Sequence, residues 1–541
     1  MPISRDSFIS KGMFRVWALI AFFIIFFATT YLFIYPTQRG NISSTQLDQS
    51  SLQQVNSTYN ETLPIQTVGF NINGRSMFIA VVMLAHIVLA NLQLGGSWIA
   101  VGTERFYLKT GNIRYQRLAR SMTLFNVILF SLGATFAGTG VFFFISLFPV
   151  FASNIFHVYF WPFFLEAILF ATEIVVLLMY WYMWKRLSPR KHQAIGYTYA
   201  VVVFVQGLMI DMVAGGMLTP GVQQLQYTQT GLLTIPLSQA LATWFNPTLW
   251  PLQWHRLFAA IGMVGFTMAM LGVFHFLDRK GQQDRQYWDW VASYSLSWGL
   301  LGILVQPFLG LWYMLTIQSS NPVSFNNIMH GPRAWAMLLM IGVFVFIFLS
   351  AILYFIERRE EVISQQETRF VHRAFVIFFW VAVVFGFILV QPGWINGLYL
   401  QSGTPWFLGS MNFKYVSLGV LVIIGSLLVA FDLIFLADFK EARWGKLSRP
   451  ARWSLMLTGF FSILIVAIMG FYRESARSPW EYFGIIPVAG GVQFPTPIYF
   501  ENIFAVWVII MVVLMLSFWW TSKATAYHPE EADEVARQQK K

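Results

Sequence analysis

One stretch of this sequence combines residue types that do chemistry in an apolar setting. It reads Gly470-Phe-Tyr-Arg-Glu-Ser-Ala-Arg-Ser-Pro-Trp480 and closes a long apolar helix. Glu474 stands where apolar sequence gives way to polar, and Pro479 ends the helix. Two histidines belong to the same level on other helices. His86 lies about nine residues into its helix, roughly 14 Å along the axis, and His255 opens another. A carboxylate and two imidazoles at one depth in lipid are candidate ligands, and neutral imidazole is the usual ligand of b-type haem iron. Each histidine alone could serve as a helix-packing residue; their shared depth with Glu474 favours the ligand role, because polar groups within a membrane are costly.

Other polar residues extend the pattern. Arg256, Lys414, Arg473 and Arg477 sit at helix ends on the same side. They suit anionic groups such as haem propionates, or they snorkel to the interface. Glu166 and Glu173 are seven residues apart on one helix, hence on nearly one face and about 10 Å apart. They would carry protons between a redox site and one side of the membrane, or one would be a metal ligand. Asp211 and Asp432 are further acids on other helices, equally suited to be neutral groups bonded to a neighbouring helix. His157 and His330 share the half of the protein that holds Glu474. For His192, His275, His372 and His528, near the other side, solvated roles suffice. The absence of cysteine excludes disulfides, thiolate ligands and covalent c-type haem attachment.

These residues must be positioned by membrane helices. The 541-residue chain is 57% hydrophobic and 11% charged, against about 25% charged in soluble domains. Continuous apolar runs predict about twelve spanning helices: 14–35, 77–101, 121–149, 158–184, 196–218, 252–277, 290–315, 334–355, 373–399, 412–437, 453–472 and 500–521. The runs do not alternate as barrel strands do. The first is too long for a signal peptide and reads as an anchor. Placing the N-terminus inside leaves seven basic residues outside: Arg39, Arg75, Arg256, Arg333, Lys414, Arg473 and Arg477. The other 28 of the 35 then lie inside, so both termini are expected in the cytoplasm. The net charge of +11 follows from this topology, and the scattered basic residues give no reason to expect nucleic acid. Residues 36–74 form a polar loop, 219–251 an uncharged loop suited to packing on the membrane face or on a partner, and the tail from 522 is polar.

Several of these stretches resemble the cytochrome bd oxidase subunit I family. His86-Ile-Val-Leu-Ala-Asn-Leu-Gln-Leu-Gly-Gly-Ser, continuing to Glu104 and Gly111, is similar to its first core helix. Trp161-Pro-Phe-Phe-Leu-Glu166, through Glu173 to Trp184-Lys-Arg-Leu187, resembles its third, and Asn246-Pro247 through His255 its fifth. Glu474-Ser-Ala-Arg-Ser-Pro-Trp480 resembles the Glu-x-x-Arg-x-Pro-Trp of its eighth. The resemblance implies a helix bundle of the bd type in a prokaryotic inner membrane. It divides the chain into an added helix and loop (1–76), core helices (77–315), two inserted helices in place of a quinol-binding loop (316–411), further core helices (412–521) and a tail (522–541).

The resemblance also implies cofactors and roles. His86 would be an axial ligand in a di-haem oxygen site, Glu474 would ligate its high-spin haem b, and His255 a low-spin haem b; haem d is a further candidate. Glu166 and Glu173 would line the oxygen site and its proton path, and Lys414 falls where the family has an arginine near a propionate. The family methionine that follows that arginine is absent here; Met411 precedes Lys414, and His330 or His157 would substitute. The two glutamates are seven apart where the family has eight. A second bd-like membrane subunit is implied, and the donor would be a quinol or an outer-side cytochrome c. Three readings follow: a bd-like terminal oxidase, a bd-derived haem-bearing anchor or electron conduit that reduces no oxygen, and a transporter coupled through buried acids.

Overall fold

Glycine and asparagine set the first turn of the bundle. The computed structural model describes residues 21, 72–221, 226–227, 233–279, 281–329, 334–362, 369–391, 411–438, 444–477, 480–487 and 496–524. Helix α1 (Ile72–Thr110) ends at Gly111, whose φ of 68° suits a residue without a side chain, and the Gly111 amide donates to the Tyr107 carbonyl. Asn112 then caps α2 (Ile113–Leu147) by accepting from the Arg114 amide at 3.0 Å. Short α3 (Pro149–Val158) turns the chain into α4 (Phe160–Tyr182), and α5 (Pro189–Leu218) follows. Pro149 and Pro189 each occupy a first helical turn, where a missing N–H costs nothing.

The uncharged loop after α5 holds a hairpin, β1 (Gln226–Tyr227) against β2 (Leu233–Thr234), and short α6 (Leu237–Trp244). It packs on its own chain: Asn246 donates to the Met212 carbonyl at 3.0 Å, and the hydroxyls of Thr219 and Thr248 meet at 2.7 Å. Then come α7 (Leu249–Asp278), α8 (Gln282–Ser320), α9 (Pro322–Met329), α10 (Ala334–Val362), α11 (Arg369–Leu389), α12 (Met411–Asp438) and α13 (Arg449–Ala476). A second hairpin, β3 (Trp480–Tyr482) with β4 (Ile486–Pro487), precedes α14 (Thr496–Ala524).

Among the described residues, nine helices are long and apolar enough to cross a membrane. They coincide with nine of the expected spans; α11 and α14 carry shorter apolar stretches at 373–389 and 503–514. The expected span 14–35 and most of the polar loop lie outside the described residues, as do His330, His528 and the end of the tail. Asp432 lies on α12, with its side chain outside those described.

The two most extensively packed helices, α7 and α8, meet along glycine. A Cβ on Gly302 would come within 2.5 Å of the Gly262 backbone, and one on Gly265 within 2.8 Å of the Ser295 carbonyl oxygen. Small residues thus let two backbones touch, the usual device where lipid gives no hydrophobic drive to helix association. At one end of this pair a buried ion pair ties three segments together. The Arg358 Nη1 on α10 reaches both carboxylate oxygens of Asp289 on α8 at 2.9 Å. The Gly445 amide donates to the same carboxylate at 2.8 Å, and the guanidinium lies 4.6 Å from the Trp444 ring. Arg358 is 2% exposed and Asp289 fully buried. Replacing Arg358 with methionine is therefore expected to cost about 3–5 kcal/mol by stranding a buried charge. The Asp289→Asn/Arg358→Met double variant should recover much of that loss. Thermal unfolding in detergent, followed by circular dichroism, checks both.

Candidate functional site

Two contacts set the relative level of the candidate residues on α1 and α4. On α1, Gln93 donates its amide to the Glu173 carboxylate of α4, and also to the Tyr199 hydroxyl of α5 at 3.3 Å. Further along the same two helices, the Tyr180 hydroxyl of α4 donates to Glu104 of α1 at 2.8 Å. The contacts occur in the same order along both helices, so α1 and α4 run parallel. Glu166 lies seven residues before Glu173, and His86 seven before Gln93. Seven residues is two turns, about 10 Å on each helix, which returns His86 and Glu166 to a common level. Gln206 of α5 donates to Glu166 at 3.3 Å.

His86 has a defined tautomer. Its Nδ1 lies 3.1 Å from the Gly133 carbonyl oxygen of α2. A carbonyl can only accept, so Nδ1 carries the hydrogen and Nε2 keeps its lone pair for a ligand. His255 is framed by α8. Gln306 donates to the His255 carbonyl at 2.9 Å, and the Tyr313 ring centre is 6.2 Å from the imidazole. A Cβ on Gly310 would sit 3.6 Å from His255 Nε2, an ordinary contact distance, so α8 passes that nitrogen at a glycine. The His86 imidazole, with its Nε2 lone pair available, suits a ligand role.

Charged groups from three helices converge with Tyr313 of α8. Arg256 pairs with the fully buried Asp211 of α5 at 2.6 Å. Arg473 lies within electrostatic range of both, and Tyr313 within range of Asp211, Arg256, Arg473 and Glu474. Arg256 also lies within electrostatic range of His86. The half-exposed Glu474 carboxylate pairs with Arg477, which reaches Glu481 at 3.5 Å. Lys414 donates to the Leu389 carbonyl at 3.1 Å and so ties α12 to the end of α11. His157 is exposed on α3. Among the described residues no three histidine or acidic side chains gather to hold a bare metal ion.

The solvated roles expected of His192 and His275 are corrected by the structure. His275 stacks on Trp288 with ring centres 3.7 Å apart. His192 is 2% exposed, with Nδ1 2.7 Å from Glu104 and Nε2 2.9 Å from the Tyr180 carbonyl. Both sit near helix ends in sequence, where solvent is the ordinary surrounding; the ends of neighbouring helices cover them. The spacing of Gln93 from His86, equal to that of Glu173 from Glu166, was the available sign that Gln93 belongs with the site. Nothing in the sequence marks Asp211 as the partner of Arg256.

The fold is that of a multi-pass helical membrane protein, with His86, His255 and Glu474 as candidate ligands on separate helices. Residues 75–330 match the family of cytochrome bd terminal oxidase subunit I, and over that stretch the chain is similar to that family. That stretch contains His86, Glu166, Glu173, His255, Arg256 and His330; Lys414, Glu474 and Arg477 fall beyond it. No curated protein matches the chain. Among solved structures, that of bd oxidase from Geobacillus thermodenitrificans is similar at a TM-score of 0.48 and 15% identity, covering 83% of this chain and 98% of that one.

The hairpin that follows Glu474 is held by two tyrosines. Tyr482 and Tyr159 bring their hydroxyls to 3.1 Å, and Tyr159 is fully buried. Burial pushes Tyr159 well above the ordinary tyrosine value, with Tyr482 beside it adding to the rise. Burial likewise pushes Tyr482 up to about 12. Because the folded value exceeds the unfolded one of about 10, the neutral phenol stabilises the fold below about pH 10 and that stabilisation is lost as pH rises towards 12. Tyrosinate absorbance should therefore show a late step near pH 12, missing in the Tyr482→Phe protein. A Tyr482 step at the ordinary value would show that the hairpin leaves this ring in water.

Proposed function

We propose that this chain is a haem-bearing membrane oxidoreductase of cytochrome bd type that delivers electrons and protons to oxygen. The observation that carries the reading is the presentation of His86 and His255: Nε2 of His86 is freed by the Gly133 contact, and Nε2 of His255 faces a glycine. Both lie inside the stretch that matches the family. Haem, when bound, supplies iron that exchanges electrons and takes up oxygen.

In this reading His255 holds a low-spin haem b, with His330 as its second ligand. His86 would be a ligand at the di-haem oxygen site and Glu474 would ligate its high-spin haem b, with haem d a further candidate. Arg256, Lys414 and Arg477 supply positive charge for propionates. Asp211 holds Arg256 in place, so the arginine needs no rearrangement to meet an anion. Glu173 and Glu166 hold protons at two successive levels and pass them towards the His86 level. Both termini are cytoplasmic in a prokaryotic inner membrane of some twelve spans, as the basic residues favour. The partners are a second bd-like membrane subunit, oxygen, and a quinol or an outer-side cytochrome c as donor. Helices α10 and α11 stand where the family places its quinol loop, so the donor site is rebuilt.

The seven-residue glutamate spacing favours one alternative, a haem-bearing anchor or electron conduit of a larger respiratory complex that reduces no oxygen. Optical difference spectra of the purified protein separate the two. The oxidase reading expects a b-type haem signal on reduction and a further change with carbon monoxide. Glu474→Ala should remove the carbon monoxide response, and His255→Ala the low-spin signal. A low-spin signal indifferent to carbon monoxide would leave the conduit reading, and no haem signal would end both.

A further inference from the structure

The buried polar groups of α1, α4 and α5 do not stop at Glu173. Beyond it lies Tyr199, held by the same Gln93 amide. The rings of Tyr199 and Tyr180 are 6.3 Å apart. The Tyr180 hydroxyl donates to Glu104, and Glu104 faces His192 at 2.7 Å. All six side chains are nearly or fully buried. His86 and Glu104 are 18 residues apart on α1, about 27 Å along its axis and close to the roughly 30 Å of a bilayer core. The series therefore runs from the candidate oxygen site to the opposite end of the bundle.

Three observations distinguish this series from a helix tie. His192 Nε2 faces a carbonyl and must carry hydrogen, so a second proton between Nδ1 and Glu104 has two places to sit. Gly196 of α5 gives way to the Tyr180 ring, for a Cβ there would come 2.8 Å from it. Asn126 of α2 is fully buried with neither amide atom bonded in the protein. It lies one turn from Thr123, the partner of the Tyr180 hydroxyl, and beside Gly96, one turn from Gln93. An unbonded amide in the gap between Tyr180 and Gln93 offers the polar partners that a bridging water needs.

We propose that Glu104 and His192 form the entrance of a proton route that reaches Glu173 through Tyr180, a water held by Asn126, and Tyr199. His192 and Glu104 share one proton and take another from the aqueous phase at their end of the bundle. Each proton leaving Glu173 is replaced by a concerted shift along the hydroxyls, and no bond other than O–H, N–H and their hydrogen bonds forms or breaks. Gln93 carries no proton; it keeps the Tyr199 hydroxyl and the Glu173 carboxyl side by side. The proposal rests on the reading of Glu173 as a proton-holding group at a redox site, but its test does not need oxygen chemistry.

The test is hydrogen–deuterium exchange at the Glu173 carboxyl, read by infrared difference spectroscopy on the full-length protein in lipid. Glu173→Gln identifies the protonated carboxyl band. In Tyr180→Phe and Tyr199→Phe, which keep the rings and lose the hydroxyls, exchange of that band should slow by about an order of magnitude or more. Glu104→Gln should slow it similarly, with Asn126→Leu closing the gap. Unchanged exchange in all four, or no band lost in Glu173→Gln, overturns the route. A wild-type protein without haem or oxygen uptake would end the oxidase reading, while the exchange rates would still decide the route.

Discussion

A carboxyl group in the apolar middle of a helix bundle has few places to turn for a hydrogen bond. Water is excluded, and the neighbouring helix offers only side chains, because its own backbone is already paired. Glu173 meets this requirement through one amide, that of Gln93. The contact orders much of what surrounds it: it sets α1 against α4 and fixes which turns face each other. It brings α5 in through Tyr199 and so puts His86 level with Glu166. The relative depth of His86, Glu166 and Glu173 follows from this single register.

Charge is handled differently at the two ends of the bundle. Asp289 and Arg358 form a closed unit, with the carboxylate also taking the Gly445 amide and the guanidinium lying over Trp444. At the other end Asp211 faces Arg256 directly and Arg473 at longer range, and Arg477 pairs with Glu474 and Glu481. The first arrangement is a joint between segments; the second gathers charges of both signs from several segments at one level.

Much of the bundle was legible in the sequence because membrane helices announce themselves by length and composition. The uninterrupted apolar runs around His86, Glu173 and His255 all became helices. What the sequence withheld was pairing. Nothing in the local pattern near Pro189 says that His192 is roofed by Trp184 and Glu104, because the burial comes from two other helices. Asp211 could be read as a buried acid, but its choice of Arg256 depends on how α5 crosses α7. Lys414 stands at a helix end, as expected of a snorkelling or anion-binding residue, and its bond to the Leu389 carbonyl could not be read from the local sequence.

The glycine seam between α7 and α8 has a consequence for the imidazole at its end. Gln306, Gly310 and Tyr313 of α8 meet His255 of α7, and the two backbones are in contact further along. Backbone against backbone has no rotamers to exchange and little free volume to give up. A ligand carried on such a unit keeps its position when the charge beside it changes. Little nuclear rearrangement would then accompany the gain or loss of an electron there, which is the condition under which electrons exchange quickly.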